Sequence, residues 1–138
     1  QLWIEVGASN TGLNNEFVGD FSNYGKENVN IFAPGCQILS STPVNKYEAF
    51  YGTSMASPVT AGVAALLMSY YPQLSVYQIK DLILNSGKKY LNLEVTEPNT
   101  NEDKKRKVAF AKLCATGAIV NAYEAVQMAE SMLINSQK

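Results

Sequence analysis

Residues Gly52-Thr53-Ser54-Met55-Ala56-Ser57-Pro58, followed at once by Val59-Thr60-Ala61-Gly62-Val63-Ala64-Ala65-Leu66-Leu67-Met68, decide the fold of this chain. A glycine and two small hydroxyl residues run straight into a segment of almost no polar character, and the pattern predicts a helix over residues 53–71. Pro58 falls early in it, where a missing N–H costs least, and Pro72 stops it. A helix that is apolar all round is a buried one, so Ser54 is expected at the mouth of a helix anchored in the core. The first turn of a helix presents unpaired N–H groups and a partial positive charge. A nucleophilic serine there has an anion-stabilising backbone beside it. Ser57, Ala61 and Ala65, spaced i, i+4 and i+8, leave one face small enough for a neighbouring element to approach closely. Taken alone, Ser54 also reads as a helix N-cap, a common role for serine.

Upstream of this segment the chain reads as short strands and turns. Leu2-Trp3-Ile4-Glu5-Val6-Gly7-Ala8 predicts a mostly buried strand, and residues 9–15, rich in Ser, Asn, Thr and Gly, a loop. A turn at Phe21-Ser22-Asn23-Tyr24-Gly25 precedes a strand over 28–33 that stops at Pro34-Gly35. Residues 37–42 predict another strand closed by Pro43, and 47–51 an extended aromatic segment leading into Gly52. Downstream, Ser75 and Gln78 form a capping box with Leu74 and Ile79 as its hydrophobic staple. Val76, Ile79, Leu82 and Ile83 give that helix an apolar stripe, and Gly87 is its expected stop. Residues 88–93 and 108–113 look like two hairpin arms around a solvated tip, 94–107, with a charge run at 102–107. After Gly117, Ala118-Ile119-Val120 leads to Asn121 as N-cap, with Glu124 three residues on. The last helix then carries Ala122, Ala125, Val126, Ala129 and Leu133 on its core face.

Composition narrows the function classes. The chain has 138 residues, 46% apolar and 17% charged, enough for one domain with a sizeable core. Its 11 basic and 12 acidic side chains leave a net charge of -1, which gives no reason to expect nucleic acid or an anionic membrane as partner. The longest apolar run falls short of the about 20 residues that span a bilayer. The sequence begins at Gln1 without a methionine, so the natural N-terminus is expected to be missing, and the lack of a targeting segment carries no weight. There is no histidine, hence no ordinary neutral-pH base and no imidazole metal ligand. Cys36 and Cys114 lack any CxxC or Cys-His spacing and are expected to be two free buried thiols, although a disulfide is open to a secreted protein.

Together these motifs resemble the subtilisin-like serine peptidases. The nucleophile segment of that family is matched by residues 52–58, and the block ahead of it by Phe21-Ser22-Asn23-Tyr24-Gly25 with Val29-Asn30-Ile31-Phe32-Ala33-Pro34-Gly35. Ile38-Leu39-Ser40-Ser41-Thr42 and Tyr47 sit at the expected intervals between them. Gly117-Ala118-Ile119-Val120-Asn121-Ala122 is similar to the closing strand and final helix, so the likeness covers residues 2–130 in order. The resemblance implies an α/β fold, a partial open and mostly parallel sheet with flanking helices and a buried central helix after the nucleophile. Residues 1–134 are then the C-terminal portion of a peptidase domain and 135–138 a frayed tail.

The same resemblance implies peptide-bond hydrolysis through a Ser-His-Asp triad, with Ser54 as nucleophile and its own N–H as one oxyanion donor. Thr53 supports the oxyanion side, and Gly52 lets substrate backbone pass close to the chain, so both count as substrate-binding residues. Met55, directly behind the nucleophile, is a candidate for oxidative inactivation. The family's Asp, His and oxyanion Asn belong to segments upstream of Gln1. With no histidine present, no arrangement of these residues completes the triad. Asp20, in a turn, and Asp81, on an amphipathic helix, read as solvated. The chain is therefore expected to be inactive alone. No metal ligand set or cofactor is expected within it, calcium being a matter for the rest of a parent enzyme. The implied partner is a protein or peptide substrate, and the implied compartment, by family habit, is secreted or cell-surface. An exposed sheet edge and helix flank predict self-association of the isolated chain. Two other readings stand beside this one: a non-catalytic subtilisin-like domain that binds a peptide or partner protein, and a different hydrolase whose base comes from another chain.

Overall fold

The computed structural model describes residues 2–100 and 105–136. Its centre is a four-stranded sheet of β1 (Val6–Ser9), β2 (Ile31–Pro34), β8 (Ala118–Ile119) and β5 (Lys88–Lys89), in that order. β1 and β8 run parallel to β2, and β5 closes the far edge antiparallel to β8. Parallel strands are covered on both faces and read as apolar runs; Ile31, Phe32 and Ala33 are accordingly all buried. Successive strand side chains point to opposite faces. Ala33 joins Ala8 and Ala56 in a cluster of small residues that lets α1 (Thr53–Tyr70) lie close on the sheet. Phe32 points the other way, into a cluster with Phe17, Val29, Val95, Phe110 and Leu113.

On the helical side, α1, α2 (Val76–Asn85) and α3 (Ala122–Ser136) share a core of Val63, Leu67, Ile79, Leu82, Ile83, Ala125 and Ala129. The capping box of α2 forms as the sequence predicts: Ser75 Oγ accepts from the Gln78 N–H, and Gln78 Oε1 accepts from the Ser75 N–H. Leu74 and Ile79, the expected staple pair, lie in the same core cluster. At α3, Asn121 Oδ1 accepts the Glu124 N–H at 3.2 Å. Residues 137–138 of the expected frayed tail lie outside the described residues.

Several local expectations are corrected. The strand expected over 2–8 begins only at Val6, and Leu2 and Trp3 are exposed, because pairing to β2 starts only at Val6↔Ile31. Residues 38–42 and 46–50 are not separate pieces. They are the arms of one antiparallel hairpin, β3 (Ile38–Thr42) and β4 (Lys46–Phe50), turning through Val44 and Asn45 at positive φ. The downstream hairpin forms with shifted arms: β6 (Glu94–Thr96) pairs with β7 (Lys107–Ala109), while residues 88–89 join the main sheet and 110–112 coil into a 3-10 turn. Its base is no solvated loop either, since Val95, Glu97 and Pro98 are buried and Arg106 closes on Glu97. Residues 101–104 of the expected tip lie outside the described residues. Val76, expected in the apolar stripe of α2, is exposed. Both cysteines are free and buried, as the sequence suggests.

The long helix departs from its expectation in an instructive way. Ala56, Thr60, Val63 and Leu67 are buried, but Ser57, Ala61, Gly62, Ala65, Leu66 and Met68 meet solvent. Ser57, Ala61 and Ala65, the small face, are all exposed. α1 is anchored by one face rather than buried all round, because the chain supplies a sheet and two helices to one side of it only.

Candidate active site

The site grows out of the junction between β2 and α1. β2 ends at Pro34, and the chain runs through Gly35 and Cys36 into the β3–β4 hairpin before returning to Tyr51 and Gly52. The return is pinned: the Gly52 N–H donates to the Gly35 carbonyl at 2.8 Å, and the Gly35 N–H donates to the Ser9 carbonyl at 2.9 Å. Gly52 itself sits at φ 157°, ψ 158°, a corner of the backbone map that side chains other than glycine hardly enter. That conformation turns the chain from the hairpin into α1 within one residue.

Gly52 is the N-cap of α1, with no side-chain hydrogen bond to it, and its carbonyl accepts the Met55 and Ala56 N–H groups at 3.0 and 3.3 Å. Ser54 is therefore the second residue of the helix and not its cap, which removes the capping role as an account of why a serine stands there. Its side chain is exposed, while two residues on Ala56 is fully buried between the sheet and the helix. The hydroxyl is thus presented to solvent on a backbone held by the core. Thr53 and Ser54 lie in the first turn, where N–H groups have no intrahelical acceptor, and no acidic side chain occupies that turn. The helix field there favours developing negative charge. Met55 is half-buried against the corner, close enough that a side chain on Gly52 would touch its sulfur at 3.5 Å.

Ser54, Thr53 and Gly52 are brought together as the sequence predicts, since they are consecutive. Asp20 and Asp81 are both exposed, as read from the sequence. Asp81 sits on α2, and Asp20 borders a cavity of about 320 Å³ whose walls include Phe21, Cys36 and Tyr51. Tyr51, three residues before Ser54, lines that cavity. The Cys36 thiol is pushed up from its ordinary pKa by burial, which makes it a poor nucleophile at neutral pH. Among the described residues no group of three or more Cys, His, Asp or Glu side chains could hold a metal ion.

The fold is a mostly parallel α/β sheet with an exposed serine at the head of a core-anchored helix. The chain matches the subtilase family over residues 1–111, and it belongs to that family. It is similar to Subtilisin DY of Bacillus licheniformis, with 40% identity over 84 residues, covering 61% of this chain and 29% of that one. The Halolysin-like extracellular serine protease Nep of Natrialba magadii is 46% identical over 66 residues, which cover 48% of this chain and 12% of the relative. Among solved structures, the A-subunit of the AB5 toxin from E. coli superposes with a TM-score of 0.69 at 25% identity, covering 91% of this chain and 37% of that one. The chain thus spans under a third of the length of the curated relatives it matches.

Proposed function

We propose that this chain is the nucleophile-bearing portion of a serine endopeptidase, with Ser54 attacking the peptide carbonyl and Gly52 and Thr53 beside the bound substrate backbone. The observation that carries the reading is an exposed serine in the first turn of a core-anchored helix that has no side-chain cap, in a chain of the subtilase family. A serine hydroxyl attacks only when a base takes its proton, and the 138 residues contain no histidine. The base, its carboxylate partner and the oxyanion-hole asparagine are assigned to polypeptide outside this chain, so the chain alone is inactive. What these residues supply is position and field. Ser54 is held in place by α1, and its N–H, with the helix dipole behind it, faces the oxyanion that forms as the carbonyl carbon becomes tetrahedral.

The reading extends to a protein or peptide substrate, no nucleic-acid partner, no cofactor or metal within this chain, and a secreted or cell-surface location. One of the relatives is described as extracellular, and no described helix is long and apolar enough to cross a membrane. The isolated chain is proposed to self-associate through the open flank of α1.

Labelling with a fluorophosphonate probe at neutral pH tests the central assignment. The full-length protein is expected to label, Ser54→Ala to abolish labelling, and the 138-residue chain alone not to label. Full-length protein with Ser54→Ala that still cleaves peptide bonds refutes the assignment. Full-length protein that fails to label while binding peptide points instead to a non-catalytic subtilisin-like domain.

A further inference from the structure

Gly35 is in contact with the corner that carries Ser54, and the contact depends on its having no side chain. A methyl group built on Gly35 meets the Gly52 carbonyl oxygen and Ala8 Cβ at 2.7 Å each, and Ala56 Cβ at 3.1 Å. None of these is the far end of a flexible side chain. Ala8 and Ala56 are fully buried in the small-residue cluster between sheet and helix, and the Gly52 oxygen is backbone. The same Gly52 carbonyl accepts the first two hydrogen bonds of α1, from Met55 and Ala56, and the Gly52 N–H is held by the Gly35 carbonyl at 2.8 Å. Gly52 is therefore clamped on both sides: its N–H by Gly35, its carbonyl by the helix that presents Ser54.

We infer that Gly35 is a positioning residue for the nucleophile: its missing side chain sets how deeply the Gly52 corner seats against β2, and with it where the Ser54 hydroxyl points. Any larger residue must push the Gly52 carbonyl outward, and the first turn of α1 moves with it because its hydrogen bonds end on that oxygen. Gly62, further along α1, has no atom within 4 Å of a Cβ built on it, so the crowding belongs to the corner and not to the length of the helix. The inference rests on Ser54 acting as the nucleophile.

The test uses the full-length protein and the rate of fluorophosphonate labelling, read beside thermal stability. Gly35→Ala is expected to slow labelling by roughly 10- to 100-fold, since a displacement near 1 Å at a reacting centre costs on that order. Its pH dependence should stay as in the unaltered protein, because the base is untouched. A double variant, Gly35→Ala with Ala8→Gly, removes the clash with β1 and leaves the clash with the Gly52 carbonyl. It is expected to recover part of the lost thermal stability without recovering labelling. Labelling of Gly35→Ala within twofold of the unaltered protein overturns the inference, and so does labelling that recovers together with stability in the double variant. Should neither variant fold, hydrogen exchange in the unaltered protein decides: the Gly52 amide is expected to be strongly protected, and exchange at the rate of an open amide overturns the clamp. Ser54→Ala separates the two levels, for if it still labels, the nucleophile assignment fails rather than the role of Gly35.

Discussion

Ser54 shows how little a single residue decides and how much its backbone does. Serine is common at helix starts, and only its place one residue inside a helix capped by Gly52 distinguishes a presented hydroxyl from a cap. At the same scale, Glu97 is the one buried acid with a shifted ionisation among the described residues. Its hydrogen bonds to Arg106, one of them 2.7 Å from Nη2 to Oε1, hold the carboxyl below its ordinary pKa against the upward push of burial. A carboxyl depressed in the folded state stabilises above the unfolded value, about 4.3 for Glu. That stabilisation is lost as pH falls through the folded value. Glu97→Gln is therefore expected to lower the melting temperature at pH 7, with the gap to the unaltered protein narrowing toward acid pH. A gap that stays constant from pH 7 to the acid limit of folding contradicts this assignment.

At the scale of elements, local rules held where a signal was self-contained. The capping box at Ser75 and Gln78 formed because both partners lie within one turn and need nothing from the rest of the fold. Ser75→Ala is expected to cost about 1 kcal/mol in chemical denaturation. Gly62 makes the opposite prediction: it lies mid-helix, exposed, with open space around it, so Gly62→Ala in the isolated chain should stabilise by about 1 kcal/mol on helix propensity. A destabilisation there would mean that the open flank of α1 is occupied in solution. Signals failed where pairing was long-range. Residues 88–93 and 108–113 have strand-like patterns, yet Lys88 and Lys89 pair with β8 while Phe110 turns its ring onto Phe17 and Phe32. No local pattern distinguishes one strand partner from another, since all present the same backbone donors and acceptors.

At the scale of the molecule, Trp3, just before β1, is 62% exposed, and the open face of α1 leaves Leu66 and Met68 exposed at 39% and 44%. An exposed apolar helix flank recruits a partner. Light scattering of the isolated chain is expected to show mass rising with concentration. A monodisperse monomer across a wide concentration range counts against self-association.

The sequence alone determined the Gly52–Pro58 segment that carries Ser54, the long helix that follows it, the capped helix at Ser75 and the absence of any histidine. Each of these is written in residues within a few positions of one another, or in a simple count. Tertiary structure alone decided that α1 is buried on one face only, that the downstream hairpin pairs at 94–96 and 107–109, and that Gly35 lies against Gly52. Burial, register and close approach depend on which surfaces meet, and those surfaces come from segments tens of residues apart. A run of small apolar residues states that a helix is suited to close contact; only the assembled fold states which of its faces is covered.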